Sequence, residues 1–183
     1  MVFRTRGAAC AIALALVLAA LPNVAGAQGS LMFDTKGTSD KPQSKLWVNN
    51  DAWWGCLNNN TKLAIYKLNG TTWTHILDVA NAVLPFDKGG ICDVLWDGTN
   101  LFVATYSATT PKLYKYSYDS VTDTYTLLAG FPVNIPMLAG SETLVIDKDS
   151  LGRLWCTYKA GTKIYVTYTT SGNHTTWGAA LAL

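Results

Sequence analysis

Residues 93–106, Asp-Val-Leu-Trp-Asp-Gly-Thr-Asn-Leu-Phe-Val-Ala-Thr-Tyr, decide how this chain is to be read. Two apolar runs, Val94 to Trp96 and Leu101 to Tyr106, flank the segment Asp97-Gly98-Thr99-Asn100. An Asp-Gly turn between short runs of β-branched and aromatic residues signals a hairpin. Two more short runs follow, Lys112 to Tyr116 and Thr124-Tyr125, so the unit holds four strands. The same pattern precedes it in Leu46-Trp47-Val48, Trp53 to Leu57, Lys62 to Leu68 and Thr72-Trp73. It recurs afterwards in Leu144 to Asp147, Leu154 to Tyr158, Lys163 to Tyr168 and Thr176-Trp177. A period of about fifty residues marks a repeat architecture, in which each unit buries its faces against its neighbours.

The expected fold is all-β, a β-propeller-type array of about three four-stranded antiparallel blades over roughly 45–79, 92–130 and 142–178. Closed propellers use about four to eight blades, so the array is expected to be incomplete or part of a larger ring. Residues 28–44 read as an extended polar lead-in. Between the first two repeats, Ile76 to Leu84 is the one helical candidate, ended by Pro85 because proline lacks the amide donor. Residues 129–141, with Gly130, Pro132, Pro136 and Gly140, read as an irregular loop. The apolar end Gly178 to Leu183 follows the last blade directly, which points to a fragment of a longer protein or to self-association through open blade faces.

Arg4 and Arg6, an uncharged run from Gly7 to Pro22 and Ala25-Gly26-Ala27 have the layout of a secretory signal peptide over 1–27. The run is shorter than the ~18 strongly apolar residues of a membrane span, so the mature protein is expected to be secreted, beginning at Gln28. Removing Arg4 and Arg6 from the fourteen basic residues leaves twelve against twelve acidic ones. A neutral chain without a basic run has no electrostatic basis for nucleic-acid binding. Cys56, Cys92 and Cys156 remain after processing, an odd number with no metal-type spacing, and read as small buried hydrophobes. Sequons occur at Asn59, Asn69 and Asn173.

An up-and-down meander places alternate connections on opposite rims. Loops between second and third strands, and those between repeats, share one rim, which carries the longer and more varied loops. That candidate functional rim comprises Asn58-Asn59-Asn60, Asp87-Lys88, Thr109-Thr110, Lys159 and the surroundings of Asp93 and Glu142. Tyr106 and Tyr158, at the ends of second strands, are the aromatic candidates there. Trp47, Trp53, Trp54, Trp96 and Trp155 fall in inner strands, where packing between blades is their expected use.

Lys-Pro-Gln-Ser-Lys-Leu-Trp at 41–47, Asp-Val-Leu-Trp-Asp-Gly-Thr at 93–99 and Glu142 to Trp155 resemble the opening blades of secreted bacterial sialidase-like β-propellers. Asn69 to Trp73 and Ser171 to Trp177 are similar to degenerate Asp-box (BNR) turns joining the third and fourth strands of such blades. The resemblance implies a substrate carboxylate held by three arginines and a tyrosine nucleophile activated by a glutamate. After the leader this chain has only Arg153 and Glu142, and lysine replaces the bidentate guanidinium fork poorly. Asp93 with Glu142 is the one carboxylate pair for glycoside hydrolysis, which needs a separation of about 5–9.5 Å; their plainer use is at strand entries. His75 and His174 read as solvated surface residues, and Asp147, Asp149 and Gly152 as turn chemistry more than a calcium loop. The expectation is a non-catalytic module binding a glycan or another surface ligand, with no cofactor and no metal. The alternative is a truncated sialidase-type hydrolase.

Overall fold

The computed structural model describes residues 43–58, 62–83, 92–106 and 111–183. Among them there is no helix, and every sheet is antiparallel. The first sheet orders β1 (Leu46–Asn49), β2 (Ala52–Asn58), β3 (Lys62–Asn69) and β4 (Thr72–Val83). The second orders β5 (Cys92–Trp96), β6 (Asn100–Thr105), β7 (Lys112–Asp119) and β8 (Thr124–Leu127), with β9 (Val133–Asn134) on the free end of β7. The third orders β10 (Ser141–Lys148), β11 (Leu154–Ala160), β12 (Lys163–Tyr168) and β13 (Leu181–Ala182). Thus each of the three repeats builds one meander.

The expected helical turn at 76–84 is instead the second half of β4 over the described part. Ile65 pairs with Leu77, Ala64 with Asp78 and Lys62 with Val83, across a register shift. The edge of β3 offers a full row of backbone partners, and a bulge absorbs the extra residues, so tertiary pairing overrides the local pattern. The 129–141 connection is irregular as expected, apart from β9, which lays Val133 against Leu113 and buries Ile135 behind it.

Turn residues close the hairpins as their chemistry demands. Asp97 Oδ1 accepts from Thr99 N at 2.9 Å and Asn100 N at 2.7 Å, while Gly98 takes a φ of 87°. In the β10–β11 turn, Asp149 accepts backbone amides of Leu151 and Arg153 at 3.0 and 2.9 Å, plus Trp155 Nε1 at 2.9 Å. Its carboxyl is held well below the usual range, first by the indole donor and then by Arg153. The carboxylate is engaged by the turn itself. A two-residue turn of Asn50 and Asp51, both at positive φ, joins β1 to β2.

Because strand side chains alternate, each sheet has two faces, here called leading and trailing in chain order. The trailing face of the first sheet, with Trp47, Trp54, Cys56, Leu63 and Ile65, packs on the leading face of the second, with Cys92, Val94, Leu101, Val103, Tyr114, Tyr116 and Tyr125. The trailing face of the second, with Phe102, Ala104 and Leu113, packs on the leading face of the third, with Leu144, Ile146, Leu154, Cys156 and Tyr158. Each fully buried large side chain in these joints contributes about 1.5–3 kcal/mol. First strands lie nearest one another, β5 touching both β1 and β10. The three described cysteines, Cys56, Cys92 and Cys156, are buried and form no disulfide, with the Cys92 thiol donating to Cys56 O at 3.6 Å.

One leading face, of the first sheet, and one trailing face, of the third, have no other sheet packed on them among the described residues. Trp53, expected to pack between blades, instead points outward on the leading face of the first sheet and is 51% exposed. It borders a groove of about 220 Å³ lined by Leu46, Trp53, Leu68 and Trp73. Gly55 keeps that face flat, since a Cβ there would stand 3.0 Å from Leu46 Cδ2 and 3.3 Å from Trp73 Cη2. On the trailing face of the third sheet, Val145 and Ile164 are exposed.

Candidate functional site

Asp93 sits where the three sheets meet. Its Oδ1 accepts from Ser44 N at 2.6 Å and its Oδ2 from Ile146 N at 2.8 Å. Ser44 O in turn accepts from Val94 N at 2.9 Å, and Gln43 Nε2 donates to Leu144 O at 2.6 Å. The segment ahead of β1 is thereby fastened to β5 and β10 together. Only 2% of Asp93 is exposed. Burial raises its carboxyl above the usual range, opposed by the two amide donors and by the Lys45 ammonium, and assisted by Asp147. A carboxylate with one amide on each oxygen satisfies two buried donors at once.

The aromatic candidates are buried in the adjoining joint. Tyr106 is 8% exposed, and its hydroxyl donates to Ser141 O. Tyr158 is 2% exposed and stacks on Tyr165 with ring centroids 5.6 Å apart. Its hydroxyl lies beside Leu138, short of full hydrogen-bond geometry. Asp93, Tyr106 and Tyr158 therefore come together along the joint of second and third sheets as buried packing and tie residues, with the Tyr158 hydroxyl enclosed and unbonded. Asn59, Asp87-Lys88, Thr109-Thr110, the side chain of Glu142 and the expected signal peptide over 1–27 lie outside the described residues. Close by, a shallow groove of about 410 Å³ is lined by Gln43, Ser44, Lys45, Leu46 and Leu57.

On the opposite rim each joint carries a charged cluster that the sequence pattern did not single out. At the first, Lys67 pairs with Asp123, which also accepts from the Tyr118 hydroxyl. Lys67 Nζ lies 5.5 Å over the Trp54 ring. Burial foremost, with Asp123 next, pushes the Tyr118 phenol up to about 12. At the second, Lys148 Nζ pairs with Asp97 Oδ2 at 2.5 Å, and both Lys148 and Lys115 lie within 6 Å of the Phe102 ring centre, at 5.8 and 5.5 Å.

His174 belongs to that second cluster and corrects the expectation of a solvated residue, being only 5% exposed. Its ring meets Phe102 edge-on at 5.1 Å. Nε2 lies 2.9 Å from Gly152 O and Nδ1 lies 3.3 Å from Lys115 Nζ. A carbonyl on one side and an ammonium on the other select the neutral tautomer with the proton on Nε2. Burial foremost, and then the Lys115 and Lys148 charges, hold its pKa below the ordinary value. His75 is exposed as expected and sits 3.1 Å from Asp78.

Arg153 donates from Nε to Asp149 Oδ2 at 2.7 Å and lies over Trp155 at 5.4 Å and Tyr168 at 5.2 Å. Among the described residues no three His, Cys, Asp or Glu side chains gather where they could hold a metal ion. No described helix is long and apolar enough to cross a membrane. No known protein family, curated protein or solved structure matches the chain.

Proposed function

We propose that the three sheets are consecutive blades of a propeller-type array of the sialidase-like kind, and that the chain is an exported, non-catalytic module for binding a glycan or another surface ligand. One observation carries the non-catalytic reading: among the described residues, Arg153 and Asp93, two of the groups that hydrolysis would need, are engaged by their own neighbours. Arg153 is neutralised by Asp149 and stacked on two rings, while Asp93 is buried with an amide on each oxygen. The architecture is supported by the way each sheet offers its trailing face to the leading face of the next, with first strands innermost. In this reading, ligand contact falls to the rim of second-to-third-strand and inter-repeat loops, since loops carried on a scaffold are where binding residues concentrate.

The test uses folded, processed protein on a glycan array beside a fluorogenic sialoside assay. Binding without turnover, unchanged by Arg153→Ala, is the expected result. Sialoside turnover that Arg153→Ala abolishes would establish the hydrolase reading instead, and a folded chain with no binder on the array removes the glycan.

A further inference from the structure

The two joints sort the three described cysteines into a pair and a single residue. Cys56, near the end of β2, and Cys92, at the start of β5, are both fully buried in the joint of the first and second sheets. Their side chains share a hydrogen bond, and the Cys92 thiol also reaches Cys56 O at 3.6 Å. Cys156 lies in the other joint with Phe102, Leu144 and Tyr158, where it is the one cysteine among the described residues. Only one of the three pairings therefore brings two sulfurs into contact.

We propose that Cys56 and Cys92 close into a disulfide in the exported protein, pinning the first sheet to the second, while Cys156 stays a thiol. This rests on the exported reading above, since disulfides form and persist in oxidising compartments. Two S–H bonds break and one S–S bond forms. The oxidant is a small disulfide of the glutathione type: one cysteine thiolate attacks it to give a mixed disulfide, and the other then displaces the remaining oxidant thiol. Two protons and two electrons leave with the two thiols released.

With the sulfurs already in hydrogen-bond contact, closure asks for rotation of the two side chains. An oxidant cannot reach either sulfur in the packed joint, so the bond forms as the joint assembles. Burial afterwards shields it from reductants. Its place links it to the ligand rim, because β2 leads into a second-to-third-strand loop and β5 follows an inter-repeat loop. The bridge fixes the roots of both. Its ends are 36 residues apart in the chain, so it also restricts the unfolded state.

The chain from Gln28 is unfolded, reduced, refolded with reduced and oxidised glutathione, and then alkylated in denaturant without reductant. One alkylated cysteine, Cys156, is expected, together with linked peptides carrying Cys56 and Cys92. Refolding in reductant alone is expected to lower the melting temperature by about 5 °C or more, a difference that Cys92→Ala abolishes and Cys156→Ala keeps. Three alkylated cysteines, a bridge to Cys156, or a melting temperature indifferent to the refolding conditions overturns the proposal. The peptide map needs no variant, so it stands if Cys92→Ala fails to fold. Expression with the leader reads the compartment separately. A chain that forms the bridge on refolding but is retained reduced inside the cell rejects the exported reading and leaves the pairing standing, whereas exported, processed chain with three thiols rejects the pairing.

Discussion

The first and second joints occupy equivalent places in the repeat but are made differently. In the first, Trp47, Trp54, Trp96, Tyr118 and Tyr125 interlock edge to face, with the Trp54 and Tyr125 rings 5.0 Å apart at 90°. The Tyr125 hydroxyl lies 2.9 Å from both Trp47 Nε1 and Asn49 Nδ2, which donate to it. In the second, one ring, Phe102, is surrounded by Lys115, Lys148 and His174, with Asp97 the acid among the groups facing it. The aromatic joint gains its stability from area and shape, and the basic one depends on keeping His174 neutral. The histidine titration therefore falls on the second joint, and loss of aromatic packing weighs more at the first.

Four outcomes would break or sharpen that contrast. Trp54→Ala empties the centre of the aromatic joint and is expected to cost about 3–5 kcal/mol in chemical denaturation; a loss under ~1 kcal/mol would mean the joint is not packed as described. Asp93→Asn keeps one acceptor but turns an amino group towards a backbone donor. The expected loss is about 1–3 kcal/mol, shared by both joints because Asp93 ties three sheets, and a neutral result would show that relief of the buried charge offsets the lost bond.

The third outcome concerns pH. A histidine whose folded pKa is depressed contributes stability that is complete above its unfolded value of about 6.5 and is lost as pH falls through the window below it. Melting temperature is therefore expected to fall from pH 7 to pH 5, by an amount that His174→Gln reduces. Unaltered acid sensitivity in that variant would place the titrating group elsewhere.

The smallest effect is chemical. Burial pushes the Cys156 thiol up to about 12, while the neighbouring Cys92 side chain foremost, and then burial, raises Cys56 well above the ordinary range. Native protein should thus react negligibly with a thiol reagent, while the unfolded processed chain, once reduced, reacts at all three cysteines. Rapid labelling of folded protein would show that a joint opens.

Most of the architecture was legible because strands and turns are local chemistry. Asp97-Gly98 and Asp149 to Gly152 fold their own hairpins, the continuous apolar run Leu101 to Ala104 announces a strand buried on both faces, and the partial alternation in Leu154 to Ala160 a strand with two different faces. The faces themselves were not legible. Leu46-Trp47 and Leu95-Trp96 look equivalent, yet Trp47 pairs with Trp54 whereas Leu95 pairs with Phe102. Unequal turns shift the register by one residue, and one residue reverses every side chain. Both tryptophans thereby enter the same joint, and Trp53 is left outside.

The candidate site depends on the same kind of contact. Asp93 and Tyr158 lie on strands and Tyr106 directly follows one, but whether a polar tip meets water or a backbone amide depends on the neighbouring sheet. His174 likewise looked solvated because its turn is polar, and only the approach of Lys115 and Phe102 encloses it. Repeat number, strand order within a meander and turn type follow from neighbours a few residues apart, so the linear chain suffices for them. Which groups are buried, tied or left to bind was decided between sheets, by contacts such as Ser44 with Asp93 and Asp93 with Ile146, about fifty residues apart, since desolvation is a property of the assembled joint.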